Sequence, residues 1–193
     1  MKPKIVLCSG SPRRQELLRR MGIEDFDIRV PQAEETCPEG LSPRETVEHI
    51  SRIKADAAHS LCSDEEILIT ADTMVFLDGE RLGKPRDESH ALRMLTALQG
   101  REHLVCTGIT VAQGDRRLTE SEETAVRLRS ADTAELRAYI RTGEPMDKAG
   151  AYGAQGLGAL FIEGIRGDYF NVVGLPMLHL SRMLQQFGVR FFE

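Results

Sequence analysis

The sequence predicts an α/β protein with a mixed sheet and flanking helices. Three observations carry that prediction. Short apolar runs of strand type alternate with stretches of helical spacing, and the joins carry helix-start and turn residues. The balance of 41% hydrophobic and 28% charged residues is that of a globular core with a charged surface. At 193 residues the chain is long enough for a substantial core without disulfides or structural zinc, and a single domain over 1–193 is expected.

The elements follow in order. Ile5-Val-Leu-Cys8 reads as a buried strand, and Ser11-Pro12 opens a helix through Leu17, Leu18 and Met21 that Gly22 ends. Asp27–Val30 is a second strand. Ser42-Pro43 starts a longer helix carrying Val47, Ile50, Ile53, Lys54 and Ala57, which ends near Cys62. Ile67–Ala71 is a buried strand expected to stop at Asp72-Thr73, before a hairpin of Met74–Leu77 and Glu80–Leu82 across Asp78-Gly79. A helix over Ser89–Leu98 is stopped by Gly100. Two long strands, Leu104–Val111 and Leu118–Leu128, join near Gly114-Asp115, and Asp132 caps a helix ending at Gly143. Between Gly143 and Gly174 glycine is dense, and an amphipathic helix follows Pro176.

Composition excludes some functions. A net charge of −5 and the absence of tryptophan argue against electrostatic wrapping of nucleic acid. No apolar stretch suits a membrane span, and the N-terminal run is too short for a signal-peptide core. Cys8, Cys37, Cys62 and Cys106 fall at neither metal-ligand nor redox spacing, so four free thiols in a reducing cytoplasm are expected.

Six places in the chain can carry chemistry. Ser9-Gly10-Ser11-Pro12-Arg13-Arg14 follows a strand and opens a helix, where N–H groups and the helix dipole favour an anion. The two arginines either grip phosphate oxygens or point into solvent beside an ordinary cap. Asp72 reads as a metal ligand or general base, or as a turn-starting residue. Glu34-Glu35 reads as a solvated loop or, with Asp72, as the donor set for one hard cation. Lys54, on an apolar helical face, snorkels or reaches a phosphate, and Lys84 stands before the stiffening Pro85. In Asp147–Gly156, glycines flank Tyr152 and Gln155; this is either a plain turn-rich loop or a cradle for a flat heterocycle. His103 and Thr107 read as structural.

Together these segments resemble the Maf family of nucleoside triphosphate pyrophosphatases. The resemblance rests on Ser9-Gly-Ser-Pro-Arg13-Arg14, Glu35, Lys54, Ala71-Asp72-Thr73, Gly83-Lys84-Pro85, His103 with Thr107, Asp147-Lys-Ala-Gly-Ala-Tyr-Gly-Ala-Gln155-Gly156 and Asn171-Val-Val-Gly-Leu-Pro176. It implies two lobes around a central cleft, similar to the inosine triphosphate pyrophosphatase fold. It also implies cleavage of a nucleoside triphosphate to the monophosphate and pyrophosphate with a divalent metal, Mg or Mn. By resemblance Asp72 is the general base, Glu35 and Asp72 are metal-associated, and Ser9, Arg13, Arg14, Lys54 and Lys84 contact phosphate. Arg13, Thr73 and Gln155 match the branch that takes dTTP and UTP, and Ala154 stands where Ile is frequent. A homodimer is consistent with the family, as is a part in removing non-canonical nucleotides or in division arrest. The alternative is a nucleotide-sensing division regulator with little turnover.

Overall fold

The structure is a computed structural model that describes residues 3–192. Its elements in chain order are β1 (Ile5–Leu7), α1 (Pro12–Arg20), β2 (Phe26–Ile28), α2 (Pro43–His59), β3 (Ile67–Leu77), β4 (Glu80–Leu82), α3 (Glu88–Leu98), β5 (Glu102–Gln113), β6 (Arg116–Leu128), α4 (Thr133–Ile140), β7 (Ile162–Arg166), α5 (Tyr169–Val173) and α6 (Met177–Gln186). Among the described residues the strands form one mixed sheet in the order β2-β1-β3-β5-β6-β7, with β4 beside β3. The fold class is the expected one. No helix of the described residues is long and apolar enough to cross a membrane.

The chain divides into two compact units. The first comprises the residues up to Asp72, Thr107–Glu122 and the residues from Gly174 onward; the second comprises Thr73–Cys106 and Glu123–Val173. In the first unit β1 pairs in parallel with β2 and with β3, and all three β1 residues are buried. Burial on both faces explains why Ile5-Val-Leu7 is an unbroken apolar run. Helix α2 opens with a reciprocal capping box, Ser42 with Glu45, one residue before Pro43. Its backbone rests directly on β5: a Cβ at Gly108 would stand 2.7 Å from the Glu48 nitrogen and closer still to the Val47 carbonyl. Only glycine admits that approach.

In the second unit β3 pairs antiparallel with β4, and β6 with β7. Val75, Leu95, Leu98, Val126, Leu128, Tyr139 and Phe161 are among the residues of its core.

Three expectations change. Strand β3 does not stop at Asp72-Thr73 but continues to Leu77, since Met74-Val-Phe-Leu77 is itself strand-forming and Asp72 has a side-chain partner that lets it stay in the strand. Strand β7 and helix α5 lie inside the glycine-dense stretch that had no element assigned, together with short 3-10 turns at Glu144–Asp147, Ala149–Ala151 and Leu157–Phe161. Ser11 occupies the N-cap of α1, but its hydroxyl makes no capping bond.

Candidate active site

A face of α2 is locked onto the strands below it. The Thr70 hydroxyl donates to the Ser51 carbonyl at 2.8 Å, and the Ser51 and Thr110 hydroxyls meet at 2.9 Å. Lys54 lies one helical turn beyond Ser51, and Asp72 lies two strand positions beyond Thr70, so both stay on the faces those bonds bring together. Their contact follows: Lys54 Nζ donates to Asp72 Oδ1 at 2.7 Å. The same ammonium lies 3.0 Å from Glu35 Oε1, in the loop after β2. Asp72 is buried, and its Oδ2 has no hydrogen-bond partner among the described residues. One carboxylate oxygen is therefore fixed by a cation while the other is left open to accept a proton or a metal.

The segment after β1 folds toward the same strand. Ser9 is buried, and its hydroxyl oxygen accepts from the Ser11 N–H at 3.3 Å and from Arg14 Nη1 at 3.2 Å. Arg14 Nη1 also donates to the Ala71 carbonyl at 2.9 Å, and Nε to the Gly174 carbonyl at 2.9 Å. Arg14 thus does not point into solvent; it ties α1 to the residue preceding Asp72. Burial of its guanidinium and the adjacent Arg13 charge lower its pKa, against the opposing pull of Asp72 and Glu35. No acidic residue occupies the first turn of α1. The helix end therefore stays electropositive, with Arg13 half-buried there.

The first unit thus brings together Ser9, Arg14, Glu35, Lys54 and Asp72. Thr73, Lys84 and Gln155 belong to the second unit. Thr73 is half-buried in β3, while Lys84 and Gln155 are exposed. The Gly150 N–H donates to the Gly83 carbonyl at 3.1 Å, which joins the Lys84 segment to the glycine-rich one.

His103 is buried and shares a 2.7 Å hydrogen bond between its Nε2 and the Tyr152 hydroxyl. Burial pushes its pKa down to about 4, so the ring is neutral near pH 7. This agrees with its reading as structural. Asn171 donates to the Val105 carbonyl and to the Thr124 hydroxyl, both at 2.9 Å, which gives its motif an anchoring part. The thiols are free, yet Cys8 and Cys62, distant in sequence, have sulfurs 4.0 Å apart.

Sequence reasoning missed Tyr139 and Glu144. Their hydroxyl and carboxylate organise the Gln155 turn through main-chain bonds, and no motif of the chain marks them for that task.

Fit for a divalent metal rests on the donors. No group of three or more His, Cys, Asp or Glu side chains suited to a metal occurs among the described residues. Asp72 and the half-exposed Glu35 are hard oxygen donors that meet at one ammonium through Oδ1 and Oε1, and Asp72 Oδ2 has no partner among the described residues. Two carboxylates with open positions suit Mg, which completes its shell with water and substrate phosphates. The residues fit.

Known proteins resemble this chain over nearly its whole length. A chain from Symbiobacterium thermophilum named dTTP/UTP pyrophosphatase is 48% identical over 189 residues, covering 98% of this chain and 96% of that protein. A chain of the same name from Pelotomaculum thermopropionicum is 46% identical over 187 residues, covering 96% and 97%. One from Bacillus pumilus, also so named, is 44% identical over 189 residues, covering 98% and 99%. Among solved structures, the Staphylococcus aureus Ham1 protein overlaps 65% of this chain and 71% of that chain, with a TM-score of 0.48 and 16% identity. The family model described as Maf-like protein matches residues 4–187, and the chain belongs to that family.

Proposed function

We propose that the chain hydrolyses dTTP and UTP to the nucleoside monophosphate and pyrophosphate, by attack of water on the α-phosphorus. The observation that carries this reading is the Asp72 carboxylate, with Oδ1 held by Lys54 at 2.7 Å and Oδ2 buried without a partner.

In this reading Asp72 Oδ2 accepts the proton of the attacking water as the oxygen–phosphorus bond forms. Lys54 keeps the carboxylate turned toward that water. The bond between the α-phosphorus and the bridging oxygen breaks, and pyrophosphate leaves with the electron pair. Arg13, Lys54 and Lys84 offset its charge, since Arg and Lys match phosphate oxygens as fork and point charge. The Ser9 hydroxyl accepts two bonds through its oxygen, so its own proton is available to an incoming phosphate oxygen. Arg14 holds the loop and β3 in place. Asp72 and Glu35 would hold a divalent metal, which when bound supplies charge stabilisation on the phosphates.

Base selection falls to Gln155 with Thr73 and Arg13. A single primary amide offers both a donor and an acceptor, which complements the N3–H and a carbonyl of uracil or thymine. The two bases differ by a methyl group, and a methyl-sized difference discriminates by only about 1–3 kcal/mol, so one site accepts both.

The test is pyrophosphate release from dTTP, UTP, CTP, GTP and 7-methyl-GTP with Mg or Mn, run beside Asp72→Asn. Metal-dependent release from dTTP and UTP that falls on the order of 10³-fold in the variant supports the reading. Nucleotide binding without release moves the chain to a sensor, and release from 7-methyl-GTP alone overturns the base assignment.

A further inference from the structure

The turn that carries Gln155 is held from both sides by a pair of residues outside it. Tyr139, near the end of α4, donates its hydroxyl proton to Glu144 Oε1 at 2.9 Å. The same hydroxyl oxygen accepts the Gly153 N–H at 3.2 Å. Glu144 opens a 3-10 turn just after Gly143, whose φ of 77° reverses the chain. Its Oε2 accepts the Leu157 N–H at 2.8 Å, and its Oε1 accepts the Gly158 N–H at 3.0 Å. Gly153 precedes and Leu157-Gly158 follow the Ala154-Gln155-Gly156 tip, in which Ala154 is half-buried and Gln155 and Gly156 are exposed, so one hydroxyl–carboxylate pair grips both ends of it.

The glycines show how closely the backbone is drawn in. A Cβ at Gly158 would lie 2.6 Å from the Tyr139 hydroxyl, one at Gly153 3.2 Å from Glu144 Oε1, and one at Gly156 2.8 Å from that oxygen. At Gly156 and Gly158 the carboxylate and hydroxyl leave room for main chain only, while at Gly153 the Lys148 side chain comes closest. The tip is held by these four bonds together with the Tyr169 hydroxyl, which donates to the Ala154 carbonyl at 3.4 Å, and the Ala159 N–H, which donates to the Gly156 carbonyl at 3.1 Å.

We propose that Glu144 and Tyr139 are positioning residues for base recognition: they hold the Gln155 turn in the geometry that meets a pyrimidine edge, and touch neither substrate nor metal. This rests on the reading of Gln155 given above. Its consequence is a separable effect, because the clamp acts on Gln155 and not on Asp72.

Glu144→Gln isolates it. The carboxylate accepts at both oxygens, and an amide NH2 at either position faces an N–H or O–H donor, so at least one bond of the clamp is lost. Tyr139→Phe removes the hydroxyl while keeping the ring in the core, and serves as the second variant if the first unfolds. Both are measured for kcat and KM with UTP and CTP, alone and combined with Gln155→Ala, with thermal unfolding to confirm a folded chain. The expected result is a KM for UTP raised about tenfold with kcat within about twofold. Preference for UTP over CTP should narrow, and the clamp variants should add nothing once Gln155 is alanine. Equal fold-changes in the presence and absence of Gln155, or a loss confined to kcat, overturn the proposal. A parent chain that turns over neither pyrimidine triphosphate overturns the reading of the site, and this proposal with it. An active parent with additive changes overturns the clamp alone.

Discussion

Lys54 and Asp72 form the central ion pair of the first unit, with Nζ 2.7 Å from Oδ1 and side chains 18% and 9% exposed. Their partnership is set by the Thr70–Ser51 bond one strand repeat and one helical turn away. A buried carboxylate deprived of its cation is left uncompensated, which costs more than the pair itself contributes. Lys54→Met should therefore lower kcat/KM on the order of 10²-fold while the chain stays folded, and Lys54→Arg should restore part of it. Steady-state kinetics of the two variants decides this; an unchanged rate in Lys54→Met removes the pair from the chemistry.

Glu35 meets the same ammonium from a loop and is half-exposed. If Asp72 and Glu35 share a metal, Glu35→Gln raises the Mg concentration needed for half-maximal rate by about tenfold and changes the rate at saturating Mg far less. Treatment with a chelator should abolish turnover of the parent, and added Mg or Mn should restore it. A Mg titration that superimposes for parent and variant would take Glu35 out of the metal site.

Why some of this was readable in sequence and some was not has a physical basis. Capped, periodic segments such as Pro43–His59, with Ser42 and Glu45 three residues apart, carry their own boundary signals. Asp72 looked like the end of a strand because an isolated carboxylate disfavours a buried β position; the compensating Lys54 is 18 residues away, and no local window holds both. Arg14 looked like one of a pair of equivalent arginines, and only the carbonyls of Ala71 and Gly174, far along the chain, distinguish it. From Gly153 to Gly158 the chain is ordered by side-chain bonds to main-chain N–H groups, a kind of order that leaves no periodicity to detect. The residues for which phosphate and base roles are proposed were visible as types at familiar spacings. Tyr139 and Glu144 were not, since apart from each other their partners in the turn are backbone N–H groups that any residue but proline supplies.

Gly108 offers a packing test remote from the chemistry. Because the α2 backbone at Val47 and Glu48 occupies the space of a Cβ, Gly108→Ala must push helix and strand apart. Overpacking of this kind costs on the order of 3 kcal/mol, and here the neighbour is backbone that cannot rotate aside. Thermal unfolding should show a clear loss. The shift should also strain the Ser51–Thr110 bond and hence the Lys54–Asp72 contact, so activity should fall in the folded fraction as well. A variant of parental stability would mean that α2 is free to ride outward.

His103 makes stability depend on acid in a defined window. Its ring is buried, its Nδ1 has no partner among the described residues, and burial lowers its pKa from 6.5 to about 4. The unfolded chain binds a proton below its ordinary value while the folded chain does not, so stability is complete above about pH 6.5 and is lost as pH falls toward the folded value. A shift of that size corresponds to roughly 3 kcal/mol by pH 4. Glu144 adds in the same direction at lower pH. Burial pushes its carboxyl up, but the N–H groups of Gly158 and Leu157, the Tyr139 hydroxyl and Lys148 outweigh that and hold it below the ordinary value. Denaturant unfolding of the parent and of His103→Gln between pH 4 and 7 separates the two. The glutamine variant starts less stable, having lost the Tyr152 partner geometry, yet its stability should change less between pH 6.5 and 4, because the group that takes up the proton on unfolding is gone. Parallel curves for the two proteins would mean that the imidazole is protonated in place and that the 2.7 Å bond to Tyr152 survives the charge.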